Sequence, residues 1–467
     1  MKCQPLIAGL LVTTLLAVAP PAFATARPAA KDAPEPAPSQ TGNEPREPPA
    51  QVDPEFAALY RSLFPGREDD GASILVETAA PHGAEGDVDG ILVGPVMLRP
   101  ALVVGYVRGD ATFGSTAEPS GDSYVQIAPR LGSSLSLPVF RGWLRAGYEP
   151  TFRPGSSFGP ARRASHMLHA SLNQPLGSVL ALRARARRTW GVLETLEVDP
   201  GREYFFGLGR FRSDYGDLGA RLKSDGRFDL DLSVRRSRVR FLEPTEFFDH
   251  DQDRIRLELG YELGPTLRAG LVYGREVVPD NPQRPEAESR VHGTRLVVSG
   301  DLSDTTHGEF EAGYERRTNP NAGPGGERYS GLTADVRLVR ELRPGLRLQA
   351  RARRFTTLSA FEDDGFYVAQ SAGFELTAPL PLELSLHTSL GWHRNQYRTA
   401  AAGRDDPRRD TLRDWSLSLG RAVTHRAFVR ADYGRQRRRS NLTQFDTTTD
   451  RLIVQVGIGF LDGVLAR

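Results

Sequence analysis

The sequence predicts an all-β protein, a transmembrane antiparallel up-and-down β-barrel of about 18 strands. Apolar and polar residues alternate at strand period in runs of about ten residues, most clearly over residues 251–276. Similar runs recur from residue 98 to residue 460. The connections between them alternate in length, which is typical of short periplasmic turns and longer extracellular loops.

The stretch 251–276 shows the repeating unit. Every second residue from Ile255 to Tyr261 is apolar, and Arg256 and Glu258 lie between them. After a turn that contains Pro265 the alternation resumes, so the two runs form a hairpin. One apolar face and one charged face fit a closed barrel with lipid outside and a polar lumen inside.

Residues 1–26 predict a cleaved secretory signal peptide. Lys2 is followed by the apolar run 6–18 and then by small residues. The one cysteine, Cys3, precedes the apolar run and would leave with the signal, which excludes disulfides and thiolate metal sites in the mature chain. We therefore expect export to the outer membrane of a Gram-negative bacterium.

Two further segments precede the predicted barrel. Residues 27–52 are rich in Pro, Ala and Glu and predict a disordered periplasmic linker. Residues 53–94 predict a periplasmic segment with a short helix over 54–64, which starts at Pro54 and stops before Pro65. This helix either docks on the barrel rim or binds a periplasmic export partner.

The barrel is predicted over residues 95–460, and 461–467 form a C-terminal tail. We predict strands at 98–108, 122–132, 140–152, 163–173, 178–190, 211–223, 226–240, 250–262, 266–277, 289–301, 307–317, 328–341, 345–356, 366–378, 382–398, 410–422, 425–439 and 449–460. This gives about 18 strands, or about 16 if two breaks are misplaced, and both numbers are even. Aromatic residues near strand ends, such as Trp392, Tyr397 and Tyr433, fit interfacial girdles.

Composition excludes two classes of protein. Only 39% of the residues are hydrophobic, and no apolar stretch after the signal is long enough for a membrane-spanning helix. Charged residues make up 25% of the chain, but the formal net charge is only +2, which argues against a nucleic-acid partner.

Two stretches carry a family resemblance. Residues 97–106 (MLRPALVVGY) and 122–131 (DSYVQIAPRL) resemble the opening strands of the putative beta-barrel porin 2 family of outer-membrane proteins. The resemblance covers residues 95–460 and implies an outer-membrane barrel. Members of this family often lie in exopolysaccharide or envelope-biogenesis loci, which implies a role in polymer export.

Charged residues at alternate strand positions are the strongest functional pattern. Charges are costly in hydrocarbon, so we expect these side chains to face the lumen. The predicted pore-lining residues are Arg183, Arg185, Arg187, Asp229, Asp231, Arg256, Glu258, Arg268, Arg347, Arg351, Arg353 and Glu383. The alternative is that these charges only brace a closed barrel.

The connection 191–210 is a candidate constriction loop, because the third outside loop of porins folds into the pore. Its acidic residues would face the arginines across the lumen and set up a transverse field. They are Glu194, Glu197, Asp199 and Glu203. A solvated acidic loop is the alternative.

The candidates for catalysis are few. His387 and Ser389 share one strand face and suggest a lipid-modifying enzyme. His166 and His169 point to opposite faces of a strand and cannot share a metal ion. We predict no catalytic residue, metal site or cofactor.

Three functions stay open at this level. The first is a polar pore for hydrophilic solutes, with exopolysaccharide export as its specific use. The second is a non-conducting anchor or scaffold that holds a periplasmic partner through helix 54–64. The third is the lipid-modifying enzyme. The expected contacts are outer-membrane lipid and a hydrophilic solute or polysaccharide.

Overall fold

The computed structural model describes part of the chain. The described residues are 90–110, 121–137, 142–154, 164–192, 210–224, 226–241, 249–279, 288–320, 327–359, 366–398, 406–424 and 426–460. The predicted signal peptide, linker, helix 54–64 and C-terminal tail lie outside these residues. So do the four acidic residues of the predicted constriction loop.

The described residues form 19 strands in one sheet. The strands are β1 (Ile91–Val93), β2 (Val96–Asp110), β3 (Gly121–Leu137), β4 (Gly142–Phe152), β5 (Ala164–Leu176), β6 (Leu180–Val192), β7 (Arg210–Lys223), β8 (Phe228–Phe241), β9 (His250–Glu262), β10 (Leu267–Val278), β11 (Ser289–Ser303), β12 (Thr306–Asn319), β13 (Glu327–Arg343), β14 (Leu346–Leu358), β15 (Phe366–Leu380), β16 (Leu384–Tyr397), β17 (Arg409–Thr424), β18 (Ala427–Ser440) and β19 (Thr447–Gly459). The 3-10 turn Thr443–Phe445 lies between β18 and β19.

Strands β2–β19 form a closed antiparallel barrel. Each strand pairs with the next in the chain, and β19 pairs with β2 from Arg451 opposite Gly109 to Gly459 opposite Ala101. Closure satisfies the backbone hydrogen bonds of both terminal strands, which a membrane requires. The three residues of β1 add a hairpin on β2. The predicted fold class is thereby confirmed, with 18 strands in the barrel.

The two ends of the barrel differ. At the end that we call the turn end, connections are as short as 304–305 and 344–345. Gly177 and Gly345 have φ angles of 73° and 76° in two of these turns, a backbone conformation that glycine adopts without strain. Strands at the opposite end, the loop end, are joined by longer segments such as 193–209. This alternation agrees with the predicted up-and-down order.

The outward face of the barrel is apolar around its middle. Large side chains there are exposed, among them Leu218 (64%), Leu296 (66%) and Leu332 (68%). A continuous apolar surface of this kind is costly in water and is expected for a barrel that contacts lipid. Among the described residues, no helix has the length and apolar character needed to cross a membrane.

One aromatic residue does not lie in the predicted outer girdle. Tyr397 is buried and packs against Tyr367, with ring centroids 4.9 Å apart. The strand alternation explains this position, because Tyr397 shares a face with Asn395 and His393 rather than with Trp392. The predicted girdle position of Tyr397 is therefore wrong.

Candidate functional site: the charged inner wall

Many charged residues of the strands lie on the concave face of the barrel, which we call the inner wall. Arg256 on β9 donates from Nη2 to Oε2 of Glu311 on β12 over 3.1 Å. These strands are three positions apart, about 14 Å along a flat sheet. The two side chains can meet only where the sheet curves toward them, so both point into the barrel.

Asp229 on β8 is an enclosed carboxylate of the inner wall. Its side chain is 2% exposed and accepts from Arg221 Nη2 at 2.6 Å and from Arg268 Nη2 at 2.5 Å. Arg268 also contacts Glu258 on β9. Two guanidinium groups thus compensate the cost of burying this carboxylate.

The contacts continue from Glu258 along the wall. Arg256 Nη2 lies 3.0 Å from Oε2 of Glu258, and Glu311 also contacts Arg295. Guanidinium and carboxylate groups alternate through the whole chain of contacts, which we call the central network and which spans β7–β12. In order of contact it contains Arg221, Asp229, Arg268, Glu258, Arg256, Glu311 and Arg295. Four arginines face three carboxylates, so the network carries one positive charge in excess.

Strand β6 carries three arginines toward the interior. Arg183 Nη2 lies 2.6 Å from Oδ2 of Asp231 on β8. Arg185 lies directly opposite Asp217 on β7, and the guanidinium of Arg187 lies 5.7 Å from the ring centre of Tyr215. Strand β6 therefore brings three guanidinium groups to the inner wall, and one of them contacts an aromatic ring.

Strand β14 carries a second group of inward arginines. Arg351 binds Asp335 through both Nε (3.2 Å to Oδ1) and Nη2 (2.8 Å to Oδ2), and Arg353 Nε lies 3.1 Å from the same carboxylate. Arg347 is on the same face, opposite Glu341 and Thr377. Arg351 and Arg353 therefore both contact the carboxylate of Asp335.

A glycine makes the central network fit. Gly260 on β9 lies directly opposite Asp229 and opposite Gly270 on β10. A β-carbon built on Gly260 would collide with the Asp229 carboxylate and the Arg268 guanidinium, which lie flat across the glycine. The ion pair can occupy this place only because the backbone has no side chain there.

Replacing Gly260 with alanine is therefore expected to lower the free energy of unfolding by about 1–3 kcal/mol, because the Asp229–Arg268 pair must move or break. The control is Gly216→Ala on β7, where an added β-carbon would meet no atom within 4 Å. Unfolding of the detergent-folded barrel in guanidinium chloride measures the free energy of unfolding of both variants. Equal stability of the two variants would contradict the role given to Gly260.

At the loop end, the inner wall holds a buried arginine that the sequence analysis missed. Arg317 on β12 is 1% exposed and donates to Ser289 at 2.8 Å, to Thr356 at 2.9 Å and to Glu276 at 3.3 Å. Alternation along β12 does place Arg317 on the same face as Glu311. The strand pattern was therefore sufficient to predict the inward position of Arg317.

A second buried cluster could not be found from strand pattern. Arg408 lies just before β17, and its Nη2 is 2.7 Å from Oδ2 of Asp410. Arg438 on β18 donates to the same atom at 3.1 Å, and the ring of Phe445 lies 3.6 Å from the Arg408 guanidinium. Arg408 and Phe445 belong to connections, where alternation predicts nothing.

The predicted pore-lining residues lie on β6, β8, β9, β10 and β14, with one exception. The strand that was predicted from residue 382 begins at Leu384, and Glu383 lies in the turn 381–383 with a φ of 58°. A residue in a turn at the rim is not on the strand wall, so the predicted strand position of Glu383 is corrected.

His387 and Ser389 share the inner face of β16, as alternation predicts, but they bond to other residues. Nδ1 of His387 is 3.1 Å from the hydroxyl of Thr377, and the hydroxyl of Ser389 is 2.6 Å from that of Ser416. A serine nucleophile needs its base within hydrogen-bond reach. The bonding of Ser389 to a second hydroxyl gives the enzyme hypothesis no support.

Comparison with known proteins finds a family to which part of the chain is similar. The family model described as "Putative beta-barrel porin 2" matches residues 248–460, which contain β9–β19. A comparison with curated proteins gave no match.

Several solved structures are similar to the chain. OccAB2 of Acinetobacter baumannii has a TM-score of 0.47 at 11% identity, over 78% of this chain and 98% of that chain. A BenF-like porin from Pseudomonas fluorescens Pf-5 has a TM-score of 0.47 at 10% identity, over 78% and 98%. The outer membrane protein opdK of Pseudomonas aeruginosa has a TM-score of 0.44 at 12% identity, over 78% and 99%.

The match over residues 248–460 confirms the resemblance that the opening strands suggested. The chain is a closed 18-stranded transmembrane β-barrel whose residues 248–460 are similar in sequence to the family Putative beta-barrel porin 2.

Proposed function

We propose that the barrel is a passive pore in the Gram-negative outer membrane for small hydrophilic solutes, with a preference for anions. The observation that supports it is the number of arginines on the inner wall, most clearly on β14, where Arg347, Arg351 and Arg353 lie on one face. A fixed positive wall along the lumen lowers the energy of an anion. The guanidinium group keeps its charge at any physiological pH.

The residues proposed to line the pore are the charged residues predicted from the sequence that lie on the strands β6, β8, β9, β10 and β14. They are Arg183, Arg185, Arg187, Asp229, Asp231, Arg256, Glu258, Arg268, Arg347, Arg351 and Arg353. We extend the proposal to the segment 193–209, whose Glu194, Glu197, Asp199 and Glu203 would oppose the arginines and narrow the passage. An acidic side facing a basic side produces a transverse field that orders polar solutes.

Reconstituted protein is expected to conduct ions across planar bilayers, and deletion of residues 194–203 is expected to raise the single-channel conductance. The measurement is single-channel current at fixed voltage for both proteins, after heat-modifiable migration has shown that each is folded. A folded barrel that passes no current even after the deletion would overturn the pore proposal.

Export of an acidic exopolysaccharide is the narrower use that we propose. Guanidinium forks donate paired hydrogen bonds to carboxylates and single ones to hydroxyls, so the inner wall suits an acidic sugar chain. An acidic oligosaccharide added to one side of the bilayer should interrupt the current, whereas a neutral one of equal length should not. Equal effects of the two sugars would remove this narrower use and leave the pore proposal intact.

A further inference from the structure

Five arginines form an exposed patch on the outward face of β16–β18, near the loop end. We call it the outer basic patch, and it contains Arg394, Arg413, Arg435, Arg437 and Arg439. The register places Arg413 directly opposite Arg437, so two like charges face each other across neighbouring strands. Such a pair is destabilising by itself, and an anion between the two guanidinium groups would remove the repulsion.

The sequence of side chains along each strand places this patch relative to the membrane. In each of the three strands an outward aromatic residue lies two positions closer to the turn end than an arginine. The pairs are Trp392 and Arg394, Trp415 and Arg413, and Tyr433 and Arg435. Exposed leucines continue the same faces, Leu390 before Trp392 and Leu417 beyond Trp415.

Aromatic side chains of this kind mark the boundary between hydrocarbon and headgroups. Trp415 and Tyr433 belong to one aromatic layer, with ring centroids 5.1 Å apart. Two residues of a strand span about 7 Å. Arg394, Arg413 and Arg435 therefore lie at the depth of the lipid headgroups in the leaflet at the loop end, and Arg437 and Arg439 lie two and four residues beyond Arg435.

Another outward group of arginines at the loop end is neutralised by the protein itself. Arg236, Arg238 and Arg240 on β8 all contact Asp251, at 3.2 Å and 3.3 Å for the first two. Asp253 lies 3.7 Å from Arg236, and Asp249 lies 3.8 Å from Arg240. Three carboxylates therefore balance the charge of the three arginines.

The outer basic patch is different. Among the residues that the structure describes, the carboxylate within ion-pair distance of the patch is Asp450, 3.7 Å from Arg435. Asp450 also accepts from the hydroxyl of Tyr433 at 2.8 Å. Among the described residues, a carboxylate thus lies near one of the five guanidinium groups of the patch, and the patch keeps a positive excess.

We propose that the outer basic patch binds the phosphate groups of a phosphorylated lipid in the leaflet at the loop end. Arginine forks match phosphate oxygens in pairs, and a phosphate between Arg413 and Arg437 would offset their repulsion. The adjoining aromatic and leucine surface would hold the acyl chains of the same molecule, which a free anion lacks. This site is independent of conduction through the lumen.

The test uses the full detergent-folded barrel and native mass spectrometry with diphosphorylated lipid A as the probe. The variant R413Q/R437Q/R439Q is expected to retain this lipid about tenfold less than the wild type or weaker, because three phosphate donors are lost. The matched control R236Q/R238Q/R240Q removes equal charge from the neutralised group and is expected to bind as the wild type does. Heat-modifiable migration verifies that each variant is folded. If the triple variant of the patch does not fold, the single variant R437Q replaces it in the test.

Two further arms identify the ligand chemistry. Lipid A without phosphates should bind the wild type as weakly as diphosphorylated lipid A binds the patch variant. Inorganic phosphate at the same concentration should not displace the lipid. Equal retention by the patch variant and the wild type, undiminished binding of the dephosphorylated lipid, or full displacement by inorganic phosphate would each overturn the proposal.

Discussion

Replacing Arg347, Arg351 and Arg353 together with glutamine is expected to shift the selectivity of the pore away from anions. The substitution removes three positive charges from the inner face of β14, where Arg351 and Arg353 contact Asp335 and Arg347 lies opposite Glu341. The reversal potential in a KCl gradient across a planar bilayer reports the shift in selectivity.

The control for this prediction removes the same charge from the outward face. R236Q/R238Q/R240Q alters residues on β8 whose side chains point away from the lumen and contact Asp251. Its reversal potential is expected to equal that of the wild type. If both triple variants shift the potential equally, the net charge of the protein rather than the inner wall sets selectivity, and the proposed role of β14 is wrong.

Replacing Asp229 with alanine is expected to destabilise the barrel by about 3 kcal/mol, the low end for removing one partner of a buried ion pair. Asp229 binds Arg221 and Arg268, and Arg268 keeps Glu258 after the substitution. The larger part of the cost comes from leaving guanidinium groups enclosed with fewer acceptors. Unfolding in guanidinium chloride, monitored by tryptophan fluorescence, measures the loss in the free energy of unfolding.

Asp214 supplies the matched control for Asp229. It also binds two arginines, Arg188 at 2.5 Å and Arg212 at 2.9 Å, but on the outward face and with both arginines more than 40% exposed. Water screens such pairs, so Asp214→Ala is expected to cost about 1 kcal/mol or less. Similar losses for the two substitutions would show that enclosure of Asp229 adds nothing to its ion pairs.

The strand pattern and the inward direction of the charges could be predicted from the chain alone. Alternation of apolar and polar residues is a local property with a period of two. Strands such as 250–262 and 289–301 can therefore be recognised without knowledge of the neighbouring strands. The cost of a charge in lipid then decides which face turns inward. β9 spans the residues predicted for it, and β11 extends two residues beyond the predicted end.

Only the tertiary structure decided which charges meet. The contact between Arg256 and Glu311 depends on the register of β9–β12 and on the curvature of the closed sheet, and both result from hydrogen bonds between residues far apart in the chain. The need for Gly260 beneath the Asp229–Arg268 pair has the same origin, as does the opposition of Arg413 and Arg437. A period of two determines the face of each side chain, whereas register and closure determine its neighbours.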